Sequence, residues 1–178
     1  VTFYFDNALD LGMGAALVYE QETGISERVQ VAFTANLGVT AVLAVFSFFV
    51  APLITAYYHL DGYTDIFRAL TVVVILSGLT TIPWSLFMRS MNFKARAGVE
   101  VSRDLTRVGV TLALVAAGKG AWSVILGMIA AYSVWFVLTW LVVQFRPRLR
   151  WNLVIVKELF AYAWRMAGTR LLGVLALN

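Results

Sequence analysis

Residues 121–145, AWSVILGMIAAYSVWFVLTWLVVQF, decide the fold, because 25 consecutive positions carry no charged side chain. About 20 predominantly apolar residues are enough for an α-helix to cross a bilayer, so this segment is predicted to span one. The turn Gly118-Lys119-Gly120 precedes it, and Pro147 follows it. Glycine tolerates a positive φ and proline disfavours continuation of a helix, so both ends of the predicted helix have a physical cause.

The composition of the whole chain agrees with this helix. Of 178 residues, 61% are hydrophobic and 13% are charged, and the mean hydropathy is +0.81. An ordinary soluble domain is about 45–50% apolar and about 25% charged. A chain of this length cannot bury so much apolar surface in a core of its own. We therefore predict an all-α fold, a polytopic bundle of transmembrane helices surrounded by lipid.

Four complete spans are predicted, at about residues 29–55, 66–88, 98–117 and 121–145. Residues 1–18 contain Asp6, Asn7 and Asp10, and we expect the end of an earlier helix there. Residues 166–178 are apolar and are expected to begin a further helix. The predicted bundle thus covers residues 1–145, and the chain is expected to be an internal piece of a longer membrane protein.

Residues 146–165 are predicted to form a cytoplasmic loop and an amphipathic helix on the membrane surface. Lys157 and Glu158 fall away from the apolar face of that helix. The side chains on the apolar face are Leu153, Val156, Leu159, Phe160, Ala163 and Trp164. The alternative is that these residues are the first turns of the next span.

The orientation follows from lysine and arginine, which concentrate in cytoplasmic loops. The predicted loops at 89–96 and 146–157 are both rich in these residues. The loops at 57–65 and 118–120 offer only His59 and Lys119. The two basic loops are therefore predicted to be cytoplasmic, which places the acidic loop at 20–28 on the same side.

The third predicted span carries four charged side chains on one face: Glu100, Arg103, Asp104 and Arg107. At about 100° per residue they lie within an arc of roughly 100°. The opposite face is apolar and contains Val101, Leu105, Val108, Leu112 and Val115. A charge inside a bilayer is unfavourable, so the charged face is expected to meet other protein or a water-filled cavity.

Two simpler interpretations of this face stay open. The charges could form a ladder of ion pairs between positions three or four apart, such as Glu100 with Arg103 and Asp104 with Arg107. Glu100 and Arg103 could instead lie at headgroup level, where charges are ordinary. Arg107, about halfway through the span, fits that second interpretation least.

Other polar and aromatic residues within the spans have simpler expected roles. Pro83 frees the carbonyl of Leu79 and is expected to kink the second span, either for transport or only for packing. Asn36 lies among small residues and is expected to hydrogen-bond across a helix contact. Trp135 and Trp140 lie deep in the fourth span and are expected to pack inside the bundle.

Several classes of site find no support in the sequence. The chain has no cysteine, so neither a disulfide nor a thiolate metal site is possible, and we predict no metal ligands. No histidine cluster, no carboxylate pair beside a nucleophile and no glycine-rich phosphate loop is present, so we expect no enzyme and no cofactor. Membrane topology explains the arginines, so nucleic-acid binding is not expected.

Four stretches in order carry a resemblance to a known family. They are LDLGMGAALVYEQETGISERVQVAFTANLGV at 9–39, FMRSMNFKARAGVEVSRDL at 87–105, GKGAWSVILG at 118–127 and RPRLRW at 146–151. Together they resemble polysaccharide flippases, the Wzx-like exporters of the multidrug/oligosaccharidyl-lipid/polysaccharide exporter superfamily.

The resemblance implies a multi-pass protein of the bacterial inner (plasma) membrane with about 12 to 14 helices in two lobes. This chain would hold most of the first lobe: the end of helix two, helices three to six and the start of helix seven. Such a flippase moves lipid-linked oligosaccharide or polysaccharide precursors across the membrane by alternating access, beside other polysaccharide-assembly proteins. Coupling to a proton or sodium gradient stays open.

This ligand gives the charged face a candidate role. Arg103 and Arg107 are predicted to bind the anionic pyrophosphate of the carrier lipid as bidentate donors. Glu100 and Asp104 are predicted to hold the arginines in place or to take part in ion coupling. These assignments rest on the helical face and not on a family motif.

Three other functions compete with a polysaccharide flippase. The first is a drug or metabolite exporter of the same superfamily. The arginines argue against a cationic drug, and the RSMNFKARA loop at 89–97 favours the polysaccharide branch. A membrane-embedded enzyme of glycan assembly would need a large outer loop, and the predicted outer loops are short. A purely structural membrane subunit would need no charges at the depth of Arg107.

Overall fold

The computed structural model describes residues 25–59, 62–89, 92–143, 146–148, 150–153 and 155–157. These residues form four long helices and, within the described ranges, no strand. The helices are α1 (Ile25–Tyr57), α2 (Thr64–Arg89), α3 (Phe93–Ala116) and α4 (Trp122–Val143). The predicted all-α fold is confirmed.

Three of these helices, α1, α2 and α4, are long and apolar enough to cross a membrane. The remaining helix, α3, has 24 residues and a length of about 36 Å, which also exceeds the roughly 30 Å of a hydrocarbon core. Its composition sets it apart, because it carries six charged side chains: Lys94, Arg96, Glu100, Arg103, Asp104 and Arg107.

Helix α3 begins at Phe93, five residues before the predicted start at 98. The side chain of Asn92 accepts a hydrogen bond from the Ala95 backbone N–H at 3.2 Å, as an N-cap residue does. Measured from Phe93 at about 1.5 Å per residue, Arg103 lies about 15 Å and Arg107 about 21 Å along the axis. The longer helix therefore carries both arginines farther from its start than the sequence indicated.

Helix α2 packs against α1 on one side and α4 on the other, and α4 also packs against α3. A first cluster of buried side chains joins α1 to α2: Val29, Ala32, Phe33 and Ile82. A second joins α2, α3 and α4: Val73, Phe87, Val99, Tyr132 and Trp135. The expected packing role of Trp135 is confirmed, because only 9% of it is exposed.

The outer surface of α1 consists of large apolar side chains that are exposed. Val42, Phe46, Phe49 and Leu53 are each more than 60% exposed, whereas Ala44 and Ala51 face the neighbouring helix and are buried. An exposed apolar surface of this kind is stable only against lipid or another apolar protein face. Helix α1 therefore has the surface of a membrane helix.

The links within each pair of helices contain residues with a positive φ. His59, between α1 and α2, has a φ of 53°, and the turn between α3 and α4 uses Gly118 at 74° and Gly120 at 54°. The Lys119 N–H donates to the Leu114 carbonyl at 3.0 Å, which closes the end of α3. The expected tight glycine turn is thus present, and each pair forms an antiparallel hairpin.

The segment after α4 lies beside the start of α1. The Arg150 N–H donates to Thr34 Oγ1 at 3.2 Å, and Arg150 Nη1 lies 4.0 Å from Glu27 Oε1. The predicted alternation of the spans requires the loops at 20–28 and 146–157 on one side of the membrane. This contact agrees with that requirement, and Arg150 balances part of the acidic charge near α1.

The remaining predictions on the organisation of the chain are covered only in part. A helical turn is present at residues 155–157, where Ile155 packs against the first cluster, while Leu153 is 60% exposed. The rest of the amphipathic helix predicted within 146–165 lies outside the described residues. So do the earlier helix predicted in residues 1–18 and the further helix predicted at 166–178.

Candidate functional site

Helix α3 separates its apolar and charged faces as the sequence predicted. The apolar face is between 54% and 68% exposed, at Val101, Leu105, Val108, Leu112 and Val115. On the other side of the helix, Val99 is buried against α2 and α4. We call the side chains of Arg96, Glu100, Arg103, Asp104 and Arg107 the charged edge of α3.

The charged edge is only partly covered by the bundle. The side chain of Arg103, which contacts Trp135 of α4, is 27% exposed, and that of Glu100 is 38% exposed. Asp104 is 60% exposed at its side chain, and Arg107 is also exposed. The predicted face is therefore present, but its two deepest members point away from the other described helices.

The ion pairs of the charged edge differ from the ladder considered from the sequence. Arg96 Nε lies 3.0 Å from Glu100 Oε1, and Arg103 Nε lies 3.1 Å from Asp104 Oδ1. Glu100 thus turns toward the residue one helical turn before it, which leaves Arg103 to its immediate neighbour. The pairs of that ladder, Glu100 with Arg103 and Asp104 with Arg107, are not formed.

Arg103 also contacts an aromatic ring of α4. Its guanidinium carbon lies 5.8 Å from the centroid of the Trp135 ring, within the range of a cation–π interaction. Edge-to-face contacts hold that ring, with centroids at 5.6 Å from Trp84 and 5.7 Å from Tyr132. The sequence predicted Trp135 only as a packing residue, and its contact with the charged edge was missed.

Arg107 stands apart from the other charges. None of the ion pairs and hydrogen bonds formed by side chains in the described part of the chain includes its guanidinium. The backbone carbonyl of Arg107 lies close to Gly127 of α4. A Cβ atom added at Gly127 would contact that oxygen and the Thr111 hydroxyl. The backbones of α3 and α4 therefore approach closely at Gly127, while the Arg107 side chain extends away from their contact.

A second polar feature lies between α1 and α2. Asn36 Nδ2 donates to the backbone carbonyl of Gly78 at 2.6 Å, which confirms the expected cross-helix bond. Beside it, a shallow groove is lined by Asn36, Val39, Thr40, Leu43, Val74, Ser77, Gly78 and Thr81. Hydroxyl and amide groups can hydrogen-bond a neutral ligand or water here, but the groove has no charged side chain.

Metal chemistry has no visible basis in the described ranges. Across them, no group of three or more His, Cys, Asp or Glu side chains lies close enough to hold a metal ion. The charged edge alternates basic and acidic side chains on one helix, with more basic than acidic members. Arginine presents several N–H donors in a planar fork, a geometry that suits carboxylate and phosphate groups.

Comparison with known proteins identifies a family. A family model described as "Polysaccharide biosynthesis protein" matches residues 1–178, the whole chain. No curated protein matches the chain, and no solved structure matches it.

Proposed function

The chain belongs to the family of polysaccharide biosynthesis proteins, and on this basis we propose that it is part of a flippase for lipid-linked glycan precursors. The expected resemblance to Wzx-like exporters agrees with this family. Three helices long and apolar enough to cross a membrane make the chain a membrane protein of polysaccharide biosynthesis. The transport activity, the bacterial inner membrane and the ligand are the parts that we propose.

One observation supports this function above the others, namely the exposed guanidinium of Arg107. It lies about 21 Å along α3, and within the described residues it has no carboxylate partner. A lone charge at that depth is too unfavourable to face lipid, so it requires water, other protein or an anionic ligand. The pyrophosphate of a lipid-linked oligosaccharide is such a ligand.

The other members of the charged edge suit the same ligand. Arg103 lies about one helical turn before Arg107, so both guanidinium groups can approach one pyrophosphate. Asp104 and Glu100 are bonded to Arg103 and Arg96, and we propose that they hold these arginines between transport cycles. The proposed mechanism is alternating access, in which a polar cavity opens in turn to each side of the membrane. A proton or sodium gradient is the candidate energy source.

The test is Arg107→Ala in the complete protein as its gene encodes it, expressed in a strain that lacks the gene. We expect polymer export to fall by at least about tenfold, because the variant removes a bidentate phosphate donor. Val108→Ala is the matched control, since Val108 is the next residue and 55% of it is exposed on the apolar face. Normal export by Arg107→Ala at equal protein level would mean that Arg107 does not contact the substrate.

The same strain separates a flippase from an enzyme of glycan assembly. Loss of a flippase leaves complete lipid-linked precursors in the cytoplasmic leaflet, whereas loss of an enzyme leaves them incomplete. Extraction and mass analysis of these lipids distinguishes the two. Glycosyltransferase genes beside this gene would favour the flippase over a general drug or metabolite exporter.

A further inference from the structure

We propose that Trp135 is a positioning residue for Arg103, which it holds with one edge of the guanidinium directed toward an anionic ligand. This inference rests on the proposed function, because it assigns a task to Arg103 within the charged edge. It adds a residue of α4 to a site that the sequence placed entirely on α3.

Two contacts fix the guanidinium of Arg103 from different directions. Asp104 Oδ1 accepts a hydrogen bond from Nε at 3.1 Å, and the Trp135 ring lies 5.8 Å from the central carbon. A long arginine side chain otherwise loses rotamer freedom when it binds a ligand. An arginine whose guanidinium is already held by a hydrogen bond and by an aromatic ring loses less rotamer freedom on binding. Such an arginine therefore binds an anion more tightly.

The remaining edge of Arg103 is available. Its terminal nitrogens make no hydrogen bond to any part of the chain that the structure describes, and the side chain is 27% exposed. Two parallel N–H groups on one edge match two oxygens of a phosphate. The arrangement therefore directs a bidentate phosphate donor outward from the contact between α3 and α4.

Trp135 is itself held rigidly enough for this task. Trp84 and Tyr132 make edge-to-face contacts with its ring, and only 9% of the residue is exposed. Its indole N–H is buried and makes no hydrogen bond in the described structure. The ring thus acts through its aromatic surface, and phenylalanine should replace it better than an aliphatic side chain of similar bulk.

The experiment is a double-mutant cycle on the complete protein in detergent, with inorganic pyrophosphate as the titrated probe. We expect Trp135→Leu to weaken pyrophosphate binding about five- to tenfold, within the range of a cation–π interaction. Trp135→Phe should weaken it by less than about twofold. In an Arg103→Ala background, Trp135→Leu should have almost no further effect, because the two residues act as one unit.

Phe136→Leu is the matched control, since this neighbouring aromatic contacts Trp140, at 5.7 Å between ring centroids. It should leave pyrophosphate binding unchanged. If Trp135→Leu does not accumulate in the membrane, Trp135→Met serves in its place and the same cycle applies. Additive losses from Trp135 and Arg103, or equal losses from Trp135→Phe and Trp135→Leu, would show that Trp135 acts only in packing.

The outcome is distinguishable from failure of the proposed function. A parent protein that does not bind pyrophosphate would overturn this inference, whatever its role in export. Coupled losses at Trp135 and Arg103 together with normal export by Arg107→Ala would support the positioning of Arg103 and overturn the flippase assignment of Arg107.

Discussion

Asn36 Nδ2 donates a 2.6 Å hydrogen bond to the backbone carbonyl of Gly78, which joins the N-terminal half of α1 to α2. Asn36 is only 6% exposed, so its amide has little access to other partners. Three hydroxyl groups near this bond, those of Thr80, Thr81 and Ser85, donate to carbonyls within α2 itself. The Asn36 bond therefore is the polar link between the two helices at this point.

Replacement of Asn36 should weaken the contact between α1 and α2. We expect Asn36→Leu to lower the free energy of unfolding by about 1–2 kcal/mol, because it removes the bond and leaves the Gly78 carbonyl without it. Thermal unfolding of the complete protein in detergent measures the loss. Ser133→Ala is the control, since the Ser133 hydroxyl bonds only within α4, to the Ile129 carbonyl. Equal melting of Asn36→Leu and the parent would contradict a stabilising role.

Gly78 should resist enlargement for a separate reason. A Cβ atom added there would overlap the side chain of Thr40. We expect Gly78→Ala to destabilise the protein by about 1–3 kcal/mol, as overpacking does. Gly109→Ala is the control, because nothing lies within 4 Å of its added Cβ and alanine favours a helix. A second change, Thr40→Ala, should restore most of the stability of Gly78→Ala, and no recovery would show that the overlap is not the cause.

Much of this packing was available from the sequence once the turns were located. Thr40 lies nineteen positions before His59 and Gly78 nineteen after it, while Arg103 and Trp135 lie sixteen positions on either side of Lys119. Antiparallel helices joined by a short turn rise equally from it, so residues at equal separation lie at about the same height. The shared height of Arg103 and Trp135 was therefore predictable, whereas the direction of their side chains depends on how α3 and α4 are rotated against each other.

The ion pairs and the exposure of the charged edge depend on contacts between helices, which no local sequence pattern contains. Helix α4 packs against both α2 and α3, and the side chains of Arg96, Glu100 and Arg103 are the more covered members of the charged edge. The pairing of Arg103 with Asp104 depends on side-chain rotamers, and the contact of Arg103 with Trp135 constrains one of them. Helical spacing alone therefore located the charged face but not its ion pairs or its exposed members.

The two sides of α3 should differ in their access to water. The natural chain has no cysteine, so a single introduced cysteine reports one position. We expect Asp104→Cys and Arg107→Cys to react with a water-soluble maleimide in native membranes. Leu105→Cys and Val108→Cys lie on the apolar face and should react at least about tenfold more slowly, because a thiol in lipid rarely ionises.

The pairing of adjacent positions makes this comparison sharp. Positions 104 and 105 are adjacent, as are 107 and 108, so the members of each pair lie at nearly the same depth in the membrane. Depth therefore does not explain a difference between their reaction rates. Equal reaction at all four positions would show that α3 does not cross the bilayer. No reaction at positions 104 and 107 would show that protein covers the charged edge and that it lines no aqueous cavity.

The hairpin turns and the loop after α4 should lie on opposite sides of the membrane. Arginine-rich loops favour the cytoplasm, and the contact of Arg150 with Glu27 places the start of α1 at the same end as the loop after α4. We expect a membrane-impermeant thiol reagent to label Tyr58→Cys and Lys119→Cys in bacteria with a permeabilised outer membrane. Lys94→Cys and Arg148→Cys should react only after the inner membrane is opened.

The two variants expected on the same side of the membrane check each other. Tyr58 and Lys119 belong to different hairpins, so agreement between them requires that both hairpins cross the membrane in the same direction. The reverse labelling of both pairs would invert the orientation and retain the packing of the four helices. Disagreement between Tyr58 and Lys119 would break the alternation itself, because either α2 or α3 would then not span the bilayer. Helix α2 is long and apolar enough to span it, so the charged helix α3 would be the exception. In that case Arg103 and Arg107 would lie outside the hydrocarbon core, and their charges would need neither a cavity nor a ligand.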